Sequence, residues 1–301
     1  VIQYSLRQLT YFAAAAERGS VTEAAKALHV SQPSVSTAIA HLEQVFGTQL
    51  FLRHHAQGLS LTPAGRRLFA EARGLLAHAG ELGTMLGGDE KRVRGELQLG
   101  YFVTFAPYYL PGLLMRFAAL HPEVAVELQE GDMATLRRAL SLGTLELAMV
   151  YDLALGAELA REPLAALTPY ALLPEGHKLA RQRKVSLRAL AREPFILLDL
   201  PHSGEYFRSI FLAFGLEPEV RYATPSLEMV RGLVACGHGV GLLNIRPAVD
   251  RAYDGTALAC RPLAEEPPSL RIVLAHPAQA RPTRAAQALI ACARSYFGET
   301  V

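Results

Sequence analysis

Gln32, Ser34, Ser36 and Thr37 stand close together on one side of a segment whose other side is Val35, Ile39, Leu42 and Phe46. That apolar spacing predicts a helix. Ser31 is a natural N-cap, and Pro33 fits the first turn because its missing N–H has no partner there. Short polar side chains at a positive helix end can hydrogen-bond base edges and phosphates in a DNA major groove. A plain three-helix bundle with a polar outer face is the alternative. Downstream, two short extended runs flank a glycine turn, the pattern of a β-wing. Arg53 leads the wing toward phosphate or the minor groove, and His54 and His55 sit at its tip. Adjacent strand residues point to opposite faces, which argues against the two histidines sharing a metal.

A second group of polar residues follows strand-like segments in the rest of the chain. Thr104 follows a strand at 97–100, Met133 one at 124–128, Pro201, His202 and Ser203 one at 195–198, Ser226 one at 220–223, and Asn244 one at 239–243. In open α/β sheets ligands bind at the carboxyl ends of strands, where helix N-termini face the crevice. Hydroxyls or a histidine there can hold a carboxylate or similar anion, and simple helix capping is the competing role for each. Tyr151 and Asp152 mark a hinge. Catalysis is disfavoured. Gly237-His238-Gly239-Val240-Gly241 lies after a helix and before a strand, the reverse of a dinucleotide loop. Asp152, His202 and Ser203 lack a nucleophile-elbow pattern.

These residues need elements to hold them. Leu6, Leu9, Ala13 and Ala16 predict a first helix ended by Gly19. Ser20 and Glu23 have capping-box spacing for a second helix, on which Ala24, Ala25 and Leu28 allow close crossing. Thr62-Pro63 opens a long helix in which Leu68, Ala72, Leu75, Ala79, Leu82 and Leu86 follow a seven-residue repeat. The small wing unit cannot cover so long a stripe, so pairing with a second copy is expected. Glycines and charges at 87–92 then break the helix. Beyond residue 94 strands alternate with helices in two sets, which argues for two α/β lobes with mostly parallel sheets and a cleft between them.

The run Ala24-Ala25-Lys26-Ala27-Leu28-His29-Val30-Ser31-Gln32-Pro33-Ser34-Val35-Ser36, followed by Ile39, Leu42-Glu43, Gly47, Leu50-Phe51, Arg53 and Leu61-Thr62-Pro63-Ala64-Gly65, resembles the LysR-type transcriptional regulators. Thr37 is a departure, since many members carry Arg there. The resemblance implies an α+β multidomain chain: a winged helix-turn-helix at 1–61, a dimerisation helix at 62–87 and a hinge at 88–94. An effector domain at 95–301 would resemble the type II periplasmic binding proteins, with lobe I at 95–165 and 268–301 and lobe II at 166–267. It places Thr104, Pro201, His202 and Ser203 where the family's effector contacts lie. Its implied partners are double-stranded DNA, a small effector, further copies of the chain as a dimer or tetramer, and RNA polymerase. A constitutive DNA-bending protein without effector is the alternative, ahead of an enzyme or a solute-binding protein.

Composition agrees with a folded, non-membrane chain. Of 301 residues, 50% are hydrophobic, enough for sizeable cores. Thirty Lys and Arg against 28 Asp and Glu give no bulk excess, so any nucleic-acid site must be local. Cys236, Cys260 and Cys292 match neither a disulfide framework nor a metal knot, and read as free thiols in a reducing cytosol. A cytoplasmic protein with no cofactor and no metal is expected.

Overall fold

The computed structural model describes residues 2–54, 58–85 and 92–300. His55 at the wing tip, Leu86 and most of the glycine-rich break lie outside them. Three helices come first, α1 (Leu6–Arg18), α2 (Val21–Ala27) and α3 (Gln32–Phe46). Their core is Leu9, Phe12, Ala13, Ala15, Ala24, Ala25, Val35, Ile39 and Leu42. Three residues of the expected apolar faces depart from this core, one of them Leu28, half-buried at the C-cap of α2. Leu6 is exposed, and Phe46 packs on Tyr4 at the surface with tilted rings, their centroids 5.3 Å apart. Gly19 ends α1 with φ 61°, a left-handed conformation that glycine adopts without strain. A complete capping box forms at Ser5 and Gln8 on α1. At Ser20 only half of one forms: its hydroxyl accepts from Glu23 N–H, while the Glu23 carboxylate turns to Lys26, 2.8 Å away.

The wing is an antiparallel pair, β1 (Phe51–His54) and β2 (Gly58–Leu61). Thr62 then joins it to α4 (Pro63–Met85). Its hydroxyl accepts from Gly65 N–H at 2.9 Å and donates to the Gln49 carbonyl at 2.7 Å.

The α4 helix has more than one buried side, which corrects the simple seam expected for it. Ala72 is buried with Phe69 in the wing domain's own core, and Leu68 packs against that core. A further face rests on the effector domain. A Cβ at Gly143, where φ is 68°, would lie 2.5 Å from Ala70 Cα, so only glycine permits this approach. Glu81 accepts from Arg284 N–H at the start of the last helix, and Glu146 accepts from Thr283 N–H at 2.7 Å beside it. Leu75 and Leu82 are 45% and 60% exposed and remain outward-facing.

The first lobe is built from β3 (Gly95–Phe102), α5 (Ala106–Leu120), β4 (Val124–Gly131), α6 (Met133–Ser141), β5 (Leu147–Tyr151) and β6 (Leu159–Leu167). The second holds β7 (Tyr170–Pro174), a 3-10 turn (Lys178–Arg181), α7 (Leu187–Leu190), β8 (Phe195–Leu198), α8 (Ser203–Leu212), β9 (Val220–Thr224), α9 (Leu227–Ala235), β10 (Val240–Leu243) and β11 (Leu258–Pro262). The chain returns to the first lobe as β12 (Leu270–Pro277) and α10 (Arg284–Thr300). Sheet orders are β4-β3-β5-β12-β6 and β11-β7-β10-β8-β9.

Each sheet is mixed: four strands run one way and one runs against them, β12 in the first lobe and β7 in the second, so the sheets are less parallel than the alternation suggested. The reason is the double crossing between lobes. Short connections at 168–169 and 263–269 carry the chain across and back, and a strand entering from the other lobe arrives antiparallel. Each lobe has its own apolar core. Among the described residues no helix is long and apolar enough to cross a membrane.

Candidate DNA interface and effector cleft

The polar row expected at the third helix is present. Gln32, Pro33, Ser34 and Thr37 are exposed, and Ser36 is half-buried. The Ser31 hydroxyl caps α3 by accepting from Ser34 N–H and lies 2.7 Å from the Ser34 hydroxyl. Gln32 Nε2 reaches the Ser36 hydroxyl at 3.4 Å. These bonds pre-order short side chains that water can still reach, while Val35, Ile39 and Leu42 fix the helix from below. On the wing, Arg53 is exposed and has no carboxylate within ion-pair distance among the described residues. His54 Nε2 lies 2.7 Å from the Ser60 hydroxyl across the hairpin, so this histidine is tied into the wing.

Part of the other group converges where the two lobes meet. Thr104 sits between β3 and α5, Tyr151 ends β5, and Asn244 follows β10. All three are buried. The Thr104 hydroxyl is 3.4 Å from the Tyr151 hydroxyl, which donates to Asn244 Oδ1 at 3.3 Å across the lobe junction. Burial pushes the Tyr151 phenol far above its ordinary range, so it stays protonated and can donate. Asn244 Nδ2 is buried and has no hydrogen-bond partner among the described residues. An orphaned buried amide is costly, and an acceptor placed there would recover that cost.

Phe102 and Phe105 stack at 5.9 Å and both pack on Tyr151. Leu200 and Tyr206 touch the cores of both lobes, and the Tyr206 hydroxyl donates to the Pro268 carbonyl at 3.1 Å on a crossing segment.

Ser203 is buried at the start of α8, and the N-cap position falls to His202, whose side chain makes no capping bond. His202 has φ 67°, uncommon for a residue with a Cβ, and its Nδ1 lies 3.6 Å from Glu205 Oε2. Three other residues expected at the cleft sit differently from Thr104, Ser203 and Asn244. The Ser226 hydroxyl caps α9 at an exposed position, accepting from Met229 N–H at 3.2 Å. Met133 is packed into the first lobe's core, and Pro201 is exposed in the turn before α8. Asp152 is held by Arg161 at 3.0 Å and Arg271 at 2.5 Å, ion pairs that tie three strand ends together.

Sequence reasoning missed the aromatic wall. Phe102 and Phe105 bracket Thr104 in the chain, which was a legible signal. It also missed Arg231, fully buried on α9, because a lone arginine in a helix normally reads as surface. The thiols differ in setting. Cys236 is exposed, whereas Cys260 is buried, donates to Asp250 Oδ1 at 3.2 Å and is pushed up to about 12, mainly by burial.

Comparison with known proteins covers nearly the whole chain. Residues 6–66 match the model of the bacterial regulatory helix-turn-helix protein, lysR family, and residues 90–298 match the LysR substrate binding domain. The crystal structure of HinK, a LysR family transcriptional regulator from Pseudomonas aeruginosa, is 40% identical, with a TM-score of 0.67 over 99% of this chain and 100% of that one. The HTH-type transcriptional regulator TfdS of Cupriavidus pinatubonensis is 34% identical over 81% of this chain and 84% of its own length. A full-length OxyR from Pseudomonas aeruginosa, 24% identical, shares the fold with a TM-score of 0.78 over 97% of this chain and 98% of that one.

Proposed function

This chain belongs to the LysR family of DNA-binding transcriptional regulators, and from that premise we propose how its own residues divide the work. Members bind DNA through the helix-turn-helix, bind small effectors in the second domain and act as oligomers. They are regulators rather than enzymes.

In our reading Gln32, Pro33, Ser34, Ser36 and Thr37 face the major groove, and Arg53 and His54 meet the backbone. A two-fold dimer then reads an interrupted palindrome. Leu68, Leu75, Ala79 and Leu82 on α4 form or flank the pairing seam; Leu86 would extend it, and Ala72 supports it from inside. Domain limits near residues 61, 87 and 94 follow from the capped start of α4 and the glycine break after it.

A tetramer is supported by exposed apolar residues on the two edge strands and the helices before them. Leu128 lies on edge strand β4 of the first lobe, and Met115 and Leu120 are exposed on α5, which precedes it in the chain. Tyr222 lies on edge strand β9 of the second, and Leu212 and Phe214 are exposed at the end of α8, which precedes it. An antiparallel pairing of effector domains would cover both edges at once. A cytoplasmic location and contact with RNA polymerase belong to the same reading.

One observation carries the effector site: the buried, unpartnered amide of Asn244, linked through Tyr151 to Thr104 across the lobe junction. A small molecule bearing a carboxylate or carbonyl would accept from it, with Thr104, Ser203 and His202 around it. Such a ligand touches both lobes and biases their angle, as it must if it is to shift the assembly. A thermal-shift screen of organic acids, aromatic acids included, is expected to find a stabilising ligand. Thr104→Val and Asn244→Leu should each weaken that ligand about tenfold, the scale of one lost hydrogen bond. Unchanged affinity in both variants would move the effector site elsewhere.

The DNA contacts are tested separately. Arg53→Ala should weaken all duplexes alike and flatten the dependence of log K on log salt by about one. Ser34→Ala or Gln32→Ala should change base preference by roughly 1–3 kcal/mol at one position. Gel shifts in which neither class of change has an effect would remove the recognition-helix assignment.

A further inference from the structure

The second lobe carries a concentrated charge that the fold does not require. Between Arg181 and Arg192 lie Arg181, Arg183, Lys184, Arg188 and Arg192 and no carboxylate, although cations and carboxylates nearly balance over the whole chain. All five are exposed, and none has an ion-pair partner among the described residues. Among the described residues the neighbouring carboxylates make no ion pair with them: Glu219 and Glu266 are exposed. Glu193 holds Lys178 at 2.7 Å and faces His177 at 3.7 Å, Glu265 accepts from Leu187 N–H at 2.9 Å, and Glu175 is exposed in the preceding turn.

The apolar residues of this stretch point the other way. Leu179, Ala180, Val185, Leu187 and Leu190 are buried in the lobe's core. Val185 N–H donates to the Pro262 carbonyl at 2.9 Å, and Arg261 Nε donates to the Ala180 carbonyl at 2.8 Å. The cations therefore stand on a rigid frame.

Topology places them away from the cleft. β7 runs antiparallel to β10, and β8 runs parallel to it. The segment joining β7 to β8 thus lies at the start of β10, whereas Asn244 lies just past its end.

We propose that this pole of the second lobe is a second DNA-contacting surface, on which Arg181, Arg183, Lys184, Arg188 and Arg192 neutralise backbone phosphates. Four of the five are arginines, whose planar fork matches phosphate geometry. DNA is favoured over an acidic protein because the helix-turn-helix already tethers the chain to a duplex, which raises the local phosphate concentration. The surface contributes affinity and path, not sequence choice, since phosphate contacts carry no base information.

The test uses the full chain on a non-specific duplex of about sixty base pairs, with affinity measured from roughly 50 to 200 mM NaCl. Changing all five cations to Gln should lower the slope of log K against log salt by roughly 4.5, from roughly 0.9 per released phosphate contact. Arg53→Ala should lower it by only about one, so loss of the wing contact and loss of this surface are distinguishable. If the fivefold variant melts early, Arg183→Gln with Lys184→Gln should still lower the slope by about two. A slope unchanged within about one in both variants overturns the proposal. So does a slope that is unchanged while binding to polyglutamate is lost, which assigns the surface to an acidic protein instead.

Discussion

Replacing Leu75 and Leu82 together by aspartate is expected to separate chains paired through α4 and to abolish site-specific DNA binding. Both leucines are large, apolar and outward-facing on the isolated protomer. They are seven residues apart and so share one helix face. Fully covering a leucine is worth roughly 1.5–3 kcal/mol; these are about half exposed, and a two-fold seam would cover four of them, so the apolar stabilisation at stake is about 3–6 kcal/mol. Burying carboxylates there adds a desolvation cost. Sedimentation should show the dissociation, and binding should fall to the level of a single half-site. Ala72→Asp should behave differently: its site is inside the wing domain's core, so that change should unfold the domain itself. A Leu75→Asp, Leu82→Asp variant that still cross-links through α4 would refute the seam.

The second large effect is expected at Glu228. Arg231 on α9 is 1% exposed. Its Nε donates to Glu228 Oε2 at 3.2 Å, and Nη2 donates to the carbonyls of Val249 at 3.1 Å and Arg251 at 2.6 Å. Nη1 is buried without a partner among the described residues, so the guanidinium is already under-satisfied. Glu228→Ala removes its counter-charge and leaves a buried cation unpaired, which costs about 3–5 kcal/mol. A melting temperature lower by roughly ten degrees is the expected readout for a domain of this size. Adding Arg231→Met should recover much of the loss, because an apolar side chain of similar volume needs no counter-charge. Melting of Glu228→Ala within a degree or two of the parent chain would show that the carbonyls alone hold the arginine.

Glu228 also connects the lobes. The Tyr108 hydroxyl on α5 donates to Glu228 Oε1 at 3.5 Å, and Tyr108 is pushed up to about 12, first by burial and then by that carboxylate. Its loss therefore removes a link across the junction as well as the ion pair inside the second lobe.

Much of this protein was legible in local chemistry. Ser31, Pro33 and Gly47 mark the limits of α3, Thr62-Pro63 opens α4, and strands such as β8 and helices such as α9 follow from short-range periodicity and caps. These signals act within a few residues, so the sequence carries them whole. The polar row on α3 and the family resemblance rest on the same kind of local pattern. Tertiary structure decided what depends on distant segments meeting. Thr104, Tyr151 and Asn244 are far apart in the chain, and only the double crossing between lobes brings their side chains together. Spacing cannot reveal that Ala72 is enclosed while Leu75 is not, because a heptad leaves open which domain covers each face. Nor can it reveal the burial of Arg231, since a charge inside a lobe is tolerable only where a carboxylate and two carbonyls converge on it, and that convergence exists only in the folded chain.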